Sequence, residues 1–385
     1  MKPTHLSGSR VLAVHPYPDL FGADLMLLSA LQVLGEWGAY VEVVVPEEGP
    51  LLDRLSAADI PYRISPFPVL RKALLSPNGV RSLVTSLHAD TQAVARLVRS
   101  ARPDVIYVNT LTLPHWLLAR TLHRKPVVCH VHEAEEGLPL PLSVGLVTPL
   151  SLATRVIANS DATRRFLVRH APWLRRSTSV IYNGFPMPEM PLRRPGMSSP
   201  IRLLLVGRLN PRKGQDLAIE ALAKLRATGL DVFLDIVGSP FRGYEWYESK
   251  LGLLAGHLGV EDYVRFRGYC SPIWPTYEEA CVVLVPSRIE PFGNVAVEAM
   301  SVGRPVIAAS VGGLPEIVRH GQTGMLCRPG DSASLAAAVE ALLRDPRAVE
   351  QLGCNAARDV RSRFSLDRFA DKLTARFNDA LQAAS

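Results

Sequence analysis

Short apolar runs alternate with helical patterns from one end of the chain to the other. In the first half the spacing predicts strands at Val11–His15, Val41–Val45, Tyr62–Ile64, Val105–Val108, Val127–Val131, Val156–Ala158 and Val180–Tyr182. Helical periodicity lies between them, notably over Ala23–Trp37, Pro77–Ser100, Leu113–His123 and Asp161–His170. The second half repeats the scheme, with strands at Ile201–Val206, Val232–Val237, Val264–Arg267, Val282–Val285, Val306–Ala309 and Met325–Cys327. Its helices are expected at Gln215–Thr228, Tyr244–Leu258, Val295–Val302, Ser332–Leu343 and Ala348–Phe364. β-Branched runs without polar alternation, separated by helices, indicate parallel sheets covered on both faces, an α/β class.

Phe185–Pro200 holds five prolines and no periodicity, which marks a linker. The expected organisation is an N-terminal Rossmann-like domain over 1–185, a linker over 186–200 and a second Rossmann-like domain over 201–365. A last helix over 366–385 is expected to cross back onto the first domain. At 385 residues the chain is long enough for two cores. Two such halves are expected to place a ligand cleft between the carboxyl ends of their strands.

No apolar run reaches membrane-spanning length, and Met1-Lys2-Pro3-Thr4-His5 has no hydrophobic signal region. Five scattered cysteines without metal spacing read as reduced thiols, most of them buried, in a cytoplasmic protein. The net charge of +7 is uneven: nine bases and two acids fall between Arg71 and Lys125. Either this is a solvated basic face or it meets an anionic lipid or acceptor. In the segment Pro77–Ser100, Leu83, Leu87, Val94 and Leu97 share a helical face. That stripe either rests on the domain's own sheet or meets a membrane peripherally. Nucleic acid is disfavoured because the basic clusters lack interleaved aromatics.

The chemistry concentrates in two strand-to-helix loops. Glu290 and Glu298 stand eight positions apart, around Pro291-Phe292-Gly293-Asn294-Val295. Gly293 allows close backbone approach, and the N–H groups opening the next helix can receive an anion. Amides between two carboxylates suit a ligand that is anionic in one part and hydroxyl-rich in another, as a nucleoside diphosphate sugar is. In Gly207-Arg208-Leu209-Asn210-Pro211-Arg212-Lys213-Gly214 the cations Arg208 and Lys213 can neutralise a diphosphate as it leaves. His130 and His132 close the strand Val127–Val131 and are expected on opposite faces of it, with His132 donating to a substrate hydroxyl. A zinc site lacks the further ligands it needs. Gly22-Ala23 opens a helix and can approach a phosphate or an acceptor. G-x-G-x-x-G, Walker, D-x-D and G-x-S-x-G patterns are absent, so no nicotinamide, flavin or metal-diphosphate site is expected.

Together these motifs resemble the retaining family 4 glycosyltransferases of GT-B fold, over nearly the whole chain and most strongly from Ile201 to Asp331. Glu290 and Glu298 look like the family's E-x7-E element. Gly312-Gly313-Leu314-Pro315-Glu316 and Gly321-Gln322-Thr323-Gly324 look like its C-terminal run. Asn159-Ser160 and Tyr182-Asn183-Gly184 match the segments before the linker. The resemblance implies that Glu290 binds donor-sugar hydroxyls and Glu298 the ribose. It gives the diphosphate to Arg208 and Lys213, with Gly207 in their loop, and the sugar and phosphates to the backbone of Phe292, Gly293, Asn294 and Val295. His132 resembles a histidine near the reacting end of the sugar. Arg267-Gly268-Tyr269 resembles the base-binding loop. Gly22-Ala23 departs from the paired glycines of many members. The implied reaction is metal-independent, without cofactor, and retains configuration by a front-face route. The acceptor would be a glycan or a lipid-linked hydroxyl in envelope glycan, glycolipid or polysaccharide synthesis. A non-catalytic nucleotide-sugar or glycan binder and a sugar-nucleotide epimerase remain the alternative readings.

Overall fold

The computed structural model describes residues 5–70, 91–188, 199–240 and 243–383. The chain divides into two compact units, Met1–Gly184 with Leu366–Ser385, and Phe185–Ser365. Ten of the proline-rich linker positions, 189–198, lie outside the described residues.

Unit 1 is built on a parallel sheet of order β3-β2-β1-β4-β5-β6-β7. Its strands are β1 (Arg10–Val14), β2 (Tyr40–Val45), β3 (Tyr62–Ile64), β4 (Val105–Val108), β5 (Val127–Val131), β6 (Arg155–Ala158) and β7 (Thr178–Val180). Strands β4 and β5 are buried at every position, as a sheet covered on both faces requires. Alternate residues of β1 feed opposite cores: Leu12 and Val14 face one, Val11 and Ala13 the other. The second core is completed by the last helix, Leu366–Gln382, whose Phe369, Leu373, Phe377 and Ala380 recur at helical spacing and are buried there. Phe377 meets Tyr107 of β4 edge-on at 5.4 Å. Truncating such a ring to alanine costs about 3–5 kcal/mol. Gly184 lets this helix approach closely, since a Cβ there would fall 2.4 Å from Phe369 Cβ.

Unit 2 carries a parallel sheet of order β10-β9-β8-β11-β12-β13. The strands are β8 (Ile201–Val206), β9 (Val232–Val237), β10 (Val264–Phe266), β11 (Val282–Val285), β12 (Val306–Ala309) and β13 (Gly324–Cys327). In both sheets the strand order reverses at one place, between β1 and β4 and between β8 and β11. Ligands of open α/β sheets bind outside the carboxyl ends of the strands at such a switch.

Several local expectations shift. The pattern over Leu113–His123 splits into Pro114–Leu117 and Ala119–His123, where the Leu118 N–H bonds back three residues to the His115 carbonyl. The strand expected at Val180–Tyr182 lies at Thr178–Val180. Of the helix expected over Pro77–Ser100, residues 77–90 fall outside the described residues, including Leu83 and Leu87; positions 91–101 are helical. There Val94 and Val98 are buried in the unit's own core and Leu97 packs against it. The described part of the stripe therefore belongs to the sheet. A helix over Leu140–Val147 escapes periodicity because Pro141 reads as a breaker, yet proline is tolerated in a first turn.

Candidate functional site

In unit 2 the loops leaving β8 and β11 are pressed together at the backbone. Gly214 has φ +73°, and a Cβ there would lie 2.2 Å from the Pro286 carbonyl oxygen. The Arg288 N–H donates to the Arg212 carbonyl at 2.7 Å. The Arg288 guanidinium grips Asp216 with two bonds of 2.8 and 2.7 Å and reaches the Pro211 carbonyl at 2.9 Å. This bidentate pair holds Asp216 below the usual carboxylate range against the opposing effect of its partial burial. Asn210 caps the short turn Pro211–Lys213 by accepting from the Arg212 N–H. So placed, Lys213 Nζ donates to Glu290 Oε2 at 2.7 Å, and Ser287 Oγ donates to the same oxygen at 2.9 Å. Glu290 is buried while the Lys213 side chain stays about a quarter exposed, at 27%.

The loop of Glu290 is shaped from below by the loop after β12. A Cβ on Gly312 (φ +56°) would sit 1.9 Å from the Glu290 carbonyl oxygen, which also accepts from the Gly313 N–H at 2.9 Å. Gly293 then turns the chain with φ +122° into the helix Asn294–Ser301. The first N–H groups of a helix have no partner within it and favour an anion. Glu298 lies on the second turn, where the buried Tyr277 phenol donates to its Oε2 at 2.7 Å. Burial raises the Glu298 carboxyl above its ordinary range, and the Tyr277 bond and the charge of Lys213 pull it back. Burial and the neighbouring Glu298 together keep the Tyr277 phenol protonated.

Lys213, Glu290, Phe292, Gly293, Asn294, Val295 and Glu298 thus stand on adjoining loops at the switch. Gly207 (φ +155°) and Arg208 lie on the same loop as Lys213, with the Arg208 carbonyl held by Gln215 at 2.8 Å. The segment Arg267-Gly268-Tyr269 follows β10. The Gly268 carbonyl accepts from Gly238 at 2.8 Å, the Arg267 guanidinium is tied to Glu279 at 2.9 Å, and the Tyr269 ring is exposed. Tyr277, Ser287, Arg288 and Asp216 were not singled out from the sequence. Ser287 and Arg288 are signalled only by their place between β11 and Glu290, while Tyr277 and Asp216 lie in the helices Trp274–Glu279 and Gln215–Ala227 and carry no signal of their own.

Unit 1 has a different arrangement at its own switch. His15 follows β1, Asn109 follows β4, and His130 and His132 end β5. The His15 Nε2 lies 2.5 Å from Asp24 Oδ1, and the other Asp24 oxygen accepts from the Phe21 N–H at 2.7 Å, where the Gly22–Glu36 helix begins. Asn109 bridges His15 Nδ1 at 3.2 Å and His132 Nε2 at 2.8 Å, and accepts from the Tyr107 phenol at 3.1 Å. The phenol also meets His130 Nδ1 at 2.7 Å. All six side chains are buried. Burial drives His130 down to about 3 and His132 well below its ordinary value, so both rings are neutral at physiological pH. The two histidines do not occupy opposite faces. Their ring centroids are 4.1 Å apart, because positions two apart along a strand share a face. The Gly22-Ala23 turn joins this network through the Ala23 carbonyl, which accepts from Asn109 Nδ2 at 3.4 Å. Among the described residues no group of three His, Cys, Asp or Glu side chains is placed to hold a metal.

Residues 22–187 match the family described as Glycosyltransferase Family 4, and residues 196–359 match Glycosyl transferases group 1. The D-inositol 3-phosphate glycosyltransferase of Geodermatophilus obscurus is 30% identical, over 96% of this chain and 89% of the relative. The chain is a family 4 glycosyltransferase of GT-B fold. The glycogen synthase of Mycobacterium tuberculosis is 33% identical over 70% of this chain and 66% of its own length. Among solved structures, Anabaena HepE in complex with UDP-glucose superposes with a TM-score of 0.80 at 26% identity, covering 96% of this chain and all of that one. The enzyme uses a nucleotide-sugar donor.

Proposed function

We propose that this glycosyltransferase moves a hexose from a uridine diphosphate sugar to a hydroxyl acceptor, with retention at the anomeric carbon and without a metal. The observation that carries the reading is the Lys213–Glu290–Ser287 cluster beside the helix opened by Gly293. One oxygen of Glu290 already accepts from a cation and a hydroxyl. That suits a carboxylate set to position sugar hydroxyls rather than a free nucleophile. Lys213, Arg208 and the amides of Phe292 to Val295 supply positive charge for the diphosphate, and Glu298 takes ribose hydroxyls. The bond from the anomeric carbon to the β-phosphate oxygen breaks, and its electron pair stays on the phosphate. The acceptor oxygen bonds on the same face and passes its proton to that phosphate oxygen. The chain's contribution is orientation and charge stabilisation. Acceptors of the type implied by the relatives' names, a polyol phosphate or a glycan, fit a place in envelope or storage glycan synthesis.

The test is the anomeric configuration of the product by NMR, using UDP-glucose with polyol and glycan acceptors. Retention is expected, and an inverted product would overturn it. Activity is expected to persist in EDTA; loss restored by magnesium or manganese would overturn metal independence. Contact with an anionic membrane has its support among the described residues in the exposed Arg96, Arg99, Arg102, Arg120 and Arg124 of unit 1. Each base adds about 1 kcal/mol near such a surface. Salt-sensitive co-sedimentation with anionic vesicles is the expected outcome, and equal recovery with neutral vesicles would exclude it.

A further inference from the structure

Hydrogen-bonding partners in the buried core of unit 1 settle which nitrogen of His132 faces outward. The Asp24 carboxylate only accepts, so the His15 Nε2 at 2.5 Å carries a proton. The Ala23 carbonyl also only accepts, so the Asn109 atom facing it is the amide nitrogen. The same nitrogen faces His15 Nδ1, which must therefore be the unprotonated acceptor of a neutral ring. Asn109 then turns its oxygen to the Tyr107 hydroxyl and to His132 Nε2, both of which must donate. With its one proton spent on Asn109, the Tyr107 oxygen accepts from His130 Nδ1. That leaves a bare lone pair at His130 Nε2, which is buried without a partner. An orphaned acceptor is more tolerable than an orphaned buried donor. Every atom in the chain is consistent with one assignment.

We propose that Asp24, His15 and Asn109 are positioning residues that lock His132 as the Nε2–H tautomer and present its Nδ1 as a fixed hydrogen-bond acceptor. The Nδ1 has no hydrogen bond among the described residues and is not among their buried unpartnered atoms. Its chemistry selects a ligand group that donates, a hydroxyl, and repels a phosphate or carboxylate oxygen. This reverses the polarity expected from the sequence, where His132 was the donor. The strong depression of His132 by burial, with His130 and His15 adding to it, keeps the acceptor available at physiological pH. His15 itself cannot serve in its place, because both of its nitrogens are already engaged. The proposal rests on the reading that His132 meets the sugar or the acceptor only for the identity of its ligand.

Two-bond proton–nitrogen correlation spectra of the ligand-free protein read the tautomers directly. His15 and His132 are expected as Nε2–H and His130 as Nδ1–H. A proton on Nδ1 of His132 in the wild-type protein would overturn the assignment. In Asn109→Leu the His132 Nε2–H would face an apolar group of the same shape. The ring is then expected to shift most of its proton to the outward Nδ1. A spectrum of His132 unchanged in that variant would show that the chain does not set the tautomer. Because these spectra need no ligand, they decide the proposal whether or not UDP-glucose binds. Titration with UDP-glucose tests the functional reading separately, through movement of the resonances of the Glu290 and Lys213 loops.

Discussion

The two units meet the same topological requirement with opposite electrostatics. At the switch of unit 2 the functional groups are charged and paired: Lys213 with Glu290, and Arg288 with Asp216. At the switch of unit 1 one carboxylate, Asp24, anchors a run of neutral imidazoles, an amide and a phenol. On the proposed reading the difference matches what each has to bind. A diphosphate carries charge that grows as it leaves, and cations preset in a partly desolvated loop stabilise it without reorganising. A hydroxyl carries no charge, and a neutral network aims one acceptor at it with low desolvation cost.

The largest effect expected is in the charged unit. Lys213→Ala removes the proposed donor to the diphosphate and leaves Glu290 with Ser287 alone on that oxygen. Turnover should fall by about a hundredfold or more, and Arg208→Ala should fall comparably. Steady-state kinetics on variants with intact circular dichroism check this, and near wild-type turnover in both would break the assignment. Next is Gly312→Ala. Its Cβ would overlap the Glu290 carbonyl oxygen at 1.9 Å, so the loop bearing Glu290 must move. A stability loss of about 2–4 kcal/mol with weakened donor binding is expected. Gly321→Ala shares the positive φ, at +72°, but its Cβ would meet nothing within 4 Å. Only the backbone strain of about 1 kcal/mol should appear there. Denaturant midpoints of the two variants separate clash from strain.

How much of this was legible in the sequence also differs between the units. The parallel sheets were readable because β4, β5, β11 and β12 are buried on both faces and so read as unbroken apolar runs. The unit 2 site was readable because Glu290, Gly293 and Glu298 lie in one contiguous stretch. Their partners were not. Lys213 and Glu290 are 77 positions apart, and sheet order brings them together, not local pattern. His15 and Asn109 are separated by 94 positions and sit side by side only because β1 pairs with β4. The expectation for His130 and His132 inverted the two-residue period of a strand. A correct count would have put both rings on one side and invited a search for shared partners.

A smaller effect tests whether Tyr277 tunes Glu298, the carboxylate proposed to take the ribose. Tyr277→Phe removes the one bond that a side chain donates to Glu298 among the described residues and keeps the ring volume. That bond holds the Glu298 carboxyl down, so its loss should raise it further toward protonation. One hydrogen bond to a charged acceptor is worth about 1.5 kcal/mol, so KM for the donor should rise about tenfold with kcat little changed. A drop in kcat at unchanged KM would instead place Tyr277 in the chemical step.

The smallest effect, and the sharpest on the comparison, is a difference in sign with pH. His130 and His132 have folded values below the ordinary 6.5. They contribute stability that is complete above 6.5 and is lost as pH falls, for His130 down to about 3, because the unfolded chain takes up protons first. Glu133 works the other way in unit 1, since burial raises its carboxyl above 4.5, but it stands against two histidines. In unit 2 Glu298 is raised above 4.5, so its contribution is complete below 4.5 and is lost as pH rises through the folded value. Asp216, held low by Arg288, contributes above 3.8 and is unchanged in this window. Acidification from about pH 7.5 to 5.5 should therefore loosen unit 1 while sparing or tightening the Glu298 region. Hydrogen exchange, corrected for the intrinsic pH dependence, can compare β5 with β11. Protection should fall more at Val127–Val131 than at Val282–Val285. An equal fall in both strands would mean that the neutral network and the charged one do not respond to protons as their burial dictates.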